Sequence, residues 1–124
     1  MRLMVTGASP ISGDVLDFLK ICFCCDLVEG YGMSETGAAS SIVTPGDKQV
    51  GRVGGPVWNC KIKLRDIPEM NAFHTNDPPK GEICFCGGSI MNGYYKNPEK
   101  TAEAMRGPWL LSGDVGIIHP NGSI

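Results

Sequence analysis

The sequence predicts an α/β protein, a βαβ piece of a parallel sheet followed by a small antiparallel, β-barrel-like subdomain. Three observations carry that expectation. Residues 2–28 read strand, helix, strand, the order of one crossover unit. Composition shifts at Thr44-Pro45-Gly46-Asp47, beyond which apolar residues alternate in short runs. The 17 glycines and 9 prolines imply many turns and short helices. Residues 1–44 are assigned to the α/β layer and residues 45–124 to the subdomain.

The first strand is expected over Arg2–Thr6 and is stopped by Gly7-Ala8-Ser9-Pro10. Ser12 suits a helix N-cap, with Asp14 in the first turn where a carboxylate complements the dipole. Ile11, Val15, Leu16, Leu19 and Cys22 fall on one helical face, which predicts a helix packed on the sheet. A second apolar run, Leu27-Val28, leads into Glu29-Gly30-Tyr31-Gly32. In a right-handed crossover unit the loops Gly7–Pro10 and Gly30–Glu35 share one edge, beyond the carboxyl ends of the strands, where ligands of such sheets sit. Further on, strands are expected at Val57–Arg65, Glu82–Cys86, Trp109–Leu111 and Val115–His119. Cys60, Ile62 and Leu64 alternate along the first of these. Ile67–Lys80, rich in Pro, Asn and Asp and carrying His74, reads as an exposed loop. Asn97 as N-cap and Pro98 at the first helical position open a short helix through Met105, which Gly107-Pro108 ends.

Composition narrows the function classes. At 124 residues the chain is about one small domain. Hydrophobic residues at 42% and charged residues at 19% fit neither a disordered nor a membrane-embedded chain. A net charge of −2 and a pI near 5.6 provide no basic footprint, so no nucleic-acid partner is expected. No apolar run approaches the roughly 18 residues of a membrane span, and the N-terminus lacks the regions of a signal peptide. The six cysteines are spaced C-x-C-C and C-x-C around a lone Cys60, unlike the paired C-x-x-C of zinc ribbons. They are expected to be free, buried thiols in a reducing compartment.

The chemistry-bearing stretch is Leu27–Ser40 (LVEGYGMSETGAAS). Its glycines allow a sharp turn and a close backbone approach to a ligand. Between and after them come an aromatic ring, a hydroxyl at Ser34 and a hard oxygen ligand at Glu35, a set suited to a nucleotide and its magnesium. The same residues also describe a strand ending in a Gly-rich loop whose polar groups cap a turn. A P-loop is excluded, because Ala38-Ala39 stand where Lys and Ser/Thr are needed. A dinucleotide fingerprint is excluded too, since Gly30-x-Gly32 lacks the third glycine and the ribose-binding acid. Asp114, within Trp109–Gly116, can reach a ribose through two hydroxyls or merely order a turn. Gly87–Tyr95 has glycines and aromatics but no acid or base, and reads as a structural turn and strand. His74 and His119 stand alone and are assigned no role.

Taken together and in order, VTGASP, EGYGMSETG and GEI…GYYKNPEKTAEAM…WLLSGDVG resemble the adenylate-forming (AMP-binding) superfamily. Within it, DVLDFLKICFCCDLVEGYGMSET, PGD…GRVGGPV, IKLRDIPEMN and HPNGS are most similar to the eukaryotic long-chain fatty acyl-CoA synthetases. The resemblance covers nearly the whole chain. It implies an ATP-dependent ligase in which a fatty acid carboxylate attacks the α-phosphate, giving acyl-AMP and pyrophosphate, before coenzyme A displaces AMP. It further implies that Gly7, Ala8 and Ser9 pack on adenine, that Tyr31 of Glu29-Gly30-Tyr31-Gly32 stacks on the ring, and that Ser34 binds phosphate. Glu35 would help hold Mg2+, making Ser34 and Glu35 the catalytic pair, and Asp114 would hold the ribose hydroxyls. ATP/AMP, Mg2+ and coenzyme A as co-substrate are therefore the expected ligands, with a long-chain fatty acid as substrate.

Two departures and several gaps qualify the resemblance. Ser34 stands where threonine is usual, keeping the hydroxyl but losing the methyl that limits its rotamers. Leu111-Ser112 replaces the commoner His-Thr before Gly113-Asp114. The family's Pro-Lys-Gly phosphate loop, ribose-contacting arginine, catalytic lysine, aromatic gate and most of the acyl tunnel have no counterpart in these residues. An internal fragment of the large domain is thus expected, inactive by itself. The alternatives are a non-catalytic nucleotide-binding remnant or interaction fragment, and another acyl- or aryl-CoA ligase. The intact protein is expected at the endoplasmic reticulum membrane, the peroxisome or in the cytoplasm, with any peripheral membrane attachment made by other segments.

Overall fold

The computed structural model describes residues 2–124. The chain begins with strand β1 (Leu3–Thr6), helix α1 (Gly13–Phe23) and strand β2 (Asp26–Tyr31). β1 and β2 pair in parallel, with Thr6 opposite Glu29, so the loops that follow them leave the sheet at one edge. Two short antiparallel strands, β3 (Ser41–Ile42) and β4 (Gly55–Pro56), complete a sheet ordered β1-β2-β3-β4. Its last strand thus lies beyond residue 44.

The N-terminus of α1 forms as its sequence dictates. The Ser12 side chain accepts from the Val15 N–H at 3.4 Å, and Cys24, left-handed at φ 46°, ends the helix. Its packing differs from the amphipathic reading. Of the face expected to be inward, only Leu16 is buried, whereas Val15 is 47% exposed and Cys22 is exposed. Phe18, Ile21 and Phe23 also face outward. Leu16 is the one buried residue of the helix, which packs against β2.

The second sheet is antiparallel and ordered β5-β6-β8-β7, from β5 (Cys60–Arg65), β6 (Lys80–Gly87), β7 (Met105–Arg106) and β8 (Trp109–Ile117). In β5 the expected alternation holds: Cys60, Ile62 and Leu64 turn inward and Lys61, Lys63 and Arg65 outward. β6 is central and buried from Gly81 through Phe85. Trp109–Leu111 and Val115–His119, expected as two strands, are largely one continuous β8, because its register on β6 shifts between Glu82 and Cys84 and absorbs the intervening turn. Asn97 caps helix α2 (Pro98–Ala104) by accepting from the Lys100 N–H at 3.0 Å. The loop before β6 is mostly exposed, yet Ala72 within it is fully buried by an isolated bridge to Ile67.

Phe85, Leu110, Ile83, Cys60 and Ile124 form the core of this half, with Tyr31 of the first sheet and Met33 just beyond it packed against it. The six cysteines are free as expected, but only Cys60 and Cys84 are buried, and Cys22 and Cys24 are exposed with the outer face of α1.

Phe85→Ala is expected to lower the unfolding free energy by about 3–5 kcal/mol, the toll of emptying a closed core site. Phe18→Ala, on the open helix face, is expected to change it by less than about 0.5 kcal/mol, both read from urea unfolding midpoints. Burial pushes the Cys60 and Cys84 thiols up from their ordinary value of 9.0. Their contribution is complete below that value and lost as pH rises through the folded-state pKa, because the unfolded thiols ionise first. Unfolding free energies measured between about pH 8 and about pH 10 should therefore decline less steeply in Cys84→Ala than in the parent chain.

Candidate nucleotide site

A cavity of about 560 Å³ opens where the two sheets meet. One wall is Gly7, Ala8 and Ser9 from the loop after β1, together with Glu29, Gly30 and Tyr31 at the end of β2. Asp114 and Val115 of β8 form the opposite wall, and Ile83, Gly116 and Ile117 form the apolar floor. The parallel pairing of β1 with β2 brings the first two groups together, and the second sheet carries in the third. Seven of the sequence-predicted residues thus share one cavity: Gly7, Ala8, Ser9, Glu29, Gly30, Tyr31 and Asp114. His119, assigned no role from sequence, also lines it.

Tyr31 joins the walls. Its ring lies 5.7 Å, centroid to centroid, from Phe85, tilted by 38°. Its hydroxyl donates to Asp114 Oδ2 at 2.5 Å. Burial first, and the Asp114 acceptor second, push the phenol pKa well up, so the hydroxyl stays a proton donor. Sequence reasoning placed both residues at the site but not in contact, since 83 residues separate them.

The turn that presents Asp114 is held from beneath. Gly113 adopts φ 77°, a left-handed conformation that glycine enters without strain. Its N–H donates to Glu82 Oε1 at 3.0 Å, and the Asp114 N–H donates to Ser112 Oγ at 3.0 Å. Glu82 is only 6% exposed, and its Oε2 lies 2.5 Å from Arg65 Nη2. That contact is short but poorly aligned as a hydrogen bond, so charge attraction rather than a directed bond carries it. Glu82 was not among the sequence candidates. The available signal was a carboxylate inside the otherwise uncharged Gly81–Gly87 run.

Gly32, Ser34 and Glu35 do not line the cavity; they belong to the adjoining turn. Ser34–Thr36 is one turn of 3₁₀ helix, closed by the fully buried Thr36, whose hydroxyl accepts from the Met33 N–H at 3.1 Å and donates to the Met33 carbonyl at 3.0 Å. Gly32 must lack a side chain, because a Cβ there would overlap the Ala38 carbonyl. Ser34 is exposed and Glu35 half-buried. Glu35 Oε1 accepts from the Tyr94 hydroxyl at 2.7 Å, and this bond, then a backbone N–H, holds its carboxyl below the usual range. Tyr94 comes from Gly87–Tyr95, read from sequence as a structural turn and strand. Among the described residues no group of three or more His, Cys, Asp or Glu could enclose a metal, and His74 pairs with Asp66 on the surface.

The family model described as AMP-binding enzyme matches residues 1–95. Over all of this chain, a long chain acyl-CoA synthetase 7, peroxisomal, of Arabidopsis thaliana is 48% identical. A long-chain-fatty-acid–CoA ligase 5 of Rattus norvegicus is 45% identical over the same extent. The chain spans 18% of the length of each of these relatives. Among solved structures, an O-succinylbenzoate coenzyme A synthetase from Bacillus subtilis, in complex with ATP and magnesium ion, superposes with a TM-score of 0.81. That likeness, at 23% identity, covers 98% of this chain and 25% of the other, and shows a shared fold. The same mixed sheet and curled antiparallel sheet therefore underlie both, and this chain belongs to the AMP-binding enzyme family, similar along its whole length to long-chain acyl-CoA synthetases.

Proposed function

We propose that this chain is an internal segment of a long-chain fatty acid–CoA ligase and forms its AMP-binding wall. The observation that carries the reading is the cavity in which Gly7–Ser9, Glu29–Tyr31 and Asp114 converge, closed by the Tyr31–Asp114 hydrogen bond. Its volume lies within the roughly 300–1,000 Å³ of small-molecule sites. The Gly7–Ser9 backbone and the Tyr31 ring offer flat apolar contact to adenine. Tyr31 occupies Oδ2 of Asp114 and leaves Oδ1 to accept from ribose hydroxyls.

The neighbouring turn suits the phosphates. Ser34 supplies an exposed hydroxyl, and Glu35 an oxygen ligand held in its ionised form. One carboxylate fits Mg2+, which is commonly held by one or two carboxylates together with substrate phosphates. When bound there, Mg2+ would offset the charge that builds on the phosphates during in-line displacement. Coenzyme A and the fatty acid are taken as the other substrates on the names of the relatives; their sites would be formed by other parts of the protein. The peroxisomal name of the Arabidopsis relative supports the peroxisome among the settings expected from sequence. No helix among the described residues is long and apolar enough to cross a membrane. Residues 1–44 and 45–124 are read as the end of the α/β layer and the adjoining subdomain of one AMP-binding domain.

In the full-length protein, Asp114→Ala should raise the KM for ATP by about 10- to 100-fold in palmitate-dependent ATP–pyrophosphate exchange, the effect of losing a charged acceptor. An unchanged KM would remove Asp114 from the nucleotide site, and exchange supported by aryl but not long-chain acids would reassign the substrate class. Purified residues 1–124 alone should form no measurable palmitoyl-CoA, because the two reactants are not held in attack geometry. Turnover by that segment would overturn the reading of it as part of a site.

A further inference from the structure

Glu35 is gripped at two levels by a segment more than fifty residues downstream. Its backbone carbonyl accepts from the Met91 N–H at 2.8 Å, and its side-chain Oε1 accepts from the Tyr94 hydroxyl at 2.7 Å. Tyr94 is itself anchored. Its N–H donates to Thr101 Oγ1 at 2.9 Å, and the Thr101 hydroxyl donates to the Asn97 carbonyl at 2.9 Å in the first turn of α2. Lys100 lies over the Tyr94 ring with Nζ 4.6 Å from its centroid. The phenol therefore sits in a fixed frame, and its hydroxyl has one acceptor, a carboxylate.

A half-buried carboxylate on a one-turn helix still has several rotamers open to it, and each misplaced one withdraws it from a cation. Binding one oxygen to a rigid donor removes that freedom without consuming the other. Glu35 Oε2 is bonded to no other residue among those described. We propose that Tyr94 is a positioning residue for the adenylation reaction: its hydroxyl holds Glu35 Oε1 so that Oε2 is presented to the nucleotide-bound divalent cation. This rests on the reading of Glu35 as a cation ligand given above. It assigns the Gly87–Tyr95 stretch a functional task, carried by one hydroxyl.

The test uses the full-length protein and its Tyr94→Phe, Glu35→Gln and double variants. Tyr94→Phe keeps the ring and its cover by Lys100, and removes only the donor. Two readouts are taken: the Mg2+ concentration for half-maximal ATP–pyrophosphate exchange, and Mn2+ affinity in the presence of ATP, followed by water-proton relaxation without turnover. Tyr94→Phe should weaken both by about tenfold, the usual effect of losing a partner that orients a ligand, with the KM for the fatty acid unchanged. In the Glu35→Gln background it should add nothing further. If Glu35→Gln weakens cation dependence and Tyr94→Phe does not, positioning by Tyr94 is overturned while Glu35 keeps its role. If the two effects simply add, Tyr94 acts independently of Glu35 and the proposal also fails. If neither variant moves either readout, the assignment of Glu35 falls together with that of Tyr94.

Discussion

The hydrogen bond from Tyr31 to Asp114 is the contact on which the site depends. Tyr31 ends a strand of the first sheet, and Asp114 lies in a strand of the second. The tyrosine ring also packs on Phe85, at the centre of the second sheet's core. One side chain thus secures the junction through an apolar face and a polar tip, the combination that makes buried tyrosine useful where two layers meet. Breaking the polar half alone would leave the ring packed but let the cavity walls part.

Two buried or half-buried carboxylates outside the cavity are held in different ways. Glu82 accepts the Gly113 N–H and meets Arg65, so the turn carrying Asp114 rests on an ion pair with one end in the core. A pair of this kind is a poor source of net stability, because desolvation offsets most of the attraction. Its effect here is to give the Gly113 N–H an acceptor and thereby aim the turn. Glu35 is instead held by a phenol, which engages one carboxylate oxygen without an ion pair. The second sheet therefore backs the cavity wall at Asp114, and the connection from β6 to α2 reaches Glu35 through Tyr94.

Much of this was legible in the residues. Ser12 and Asn97 cap the helices expected of them, and the strand, helix, strand order puts Gly7–Pro10 and Gly30–Glu35 at one edge, where Gly7–Pro10, Gly30 and Tyr31 line the cavity. Local rules suffice there, because caps and crossover handedness act over a few residues or one connection. The face of α1 was misjudged for the converse reason: periodicity shows that a helix has an apolar side, not that anything covers it. Tyr94 and Glu82 escaped notice because their partners, Glu35 and Gly113, lie 59 and 31 positions away. Neither spacing has a sequence signature, and an aromatic in a glycine-rich stretch is as well explained by packing. The single long β8 was missed because Ser112-Gly113-Asp114 reads as a turn, and it does turn, within a strand whose pairing slips to accommodate it.

The open side of the first sheet bears on how these 124 residues behave when handled alone. β1 is the edge strand of its sheet, with Leu3 and Val5 exposed, and α1 turns Phe18, Ile21 and Phe23 outward beside it. An unpaired strand edge next to a greasy helix is a template for association between copies. A net charge of −2 offers little mutual repulsion to oppose it. Colloidal behaviour in dilute buffer will thus be governed by the α1 side of the molecule rather than by the cavity between the sheets, and solubility will answer to acidic substitutions at Phe18 or Ile21 long before it answers to anything done at Tyr31.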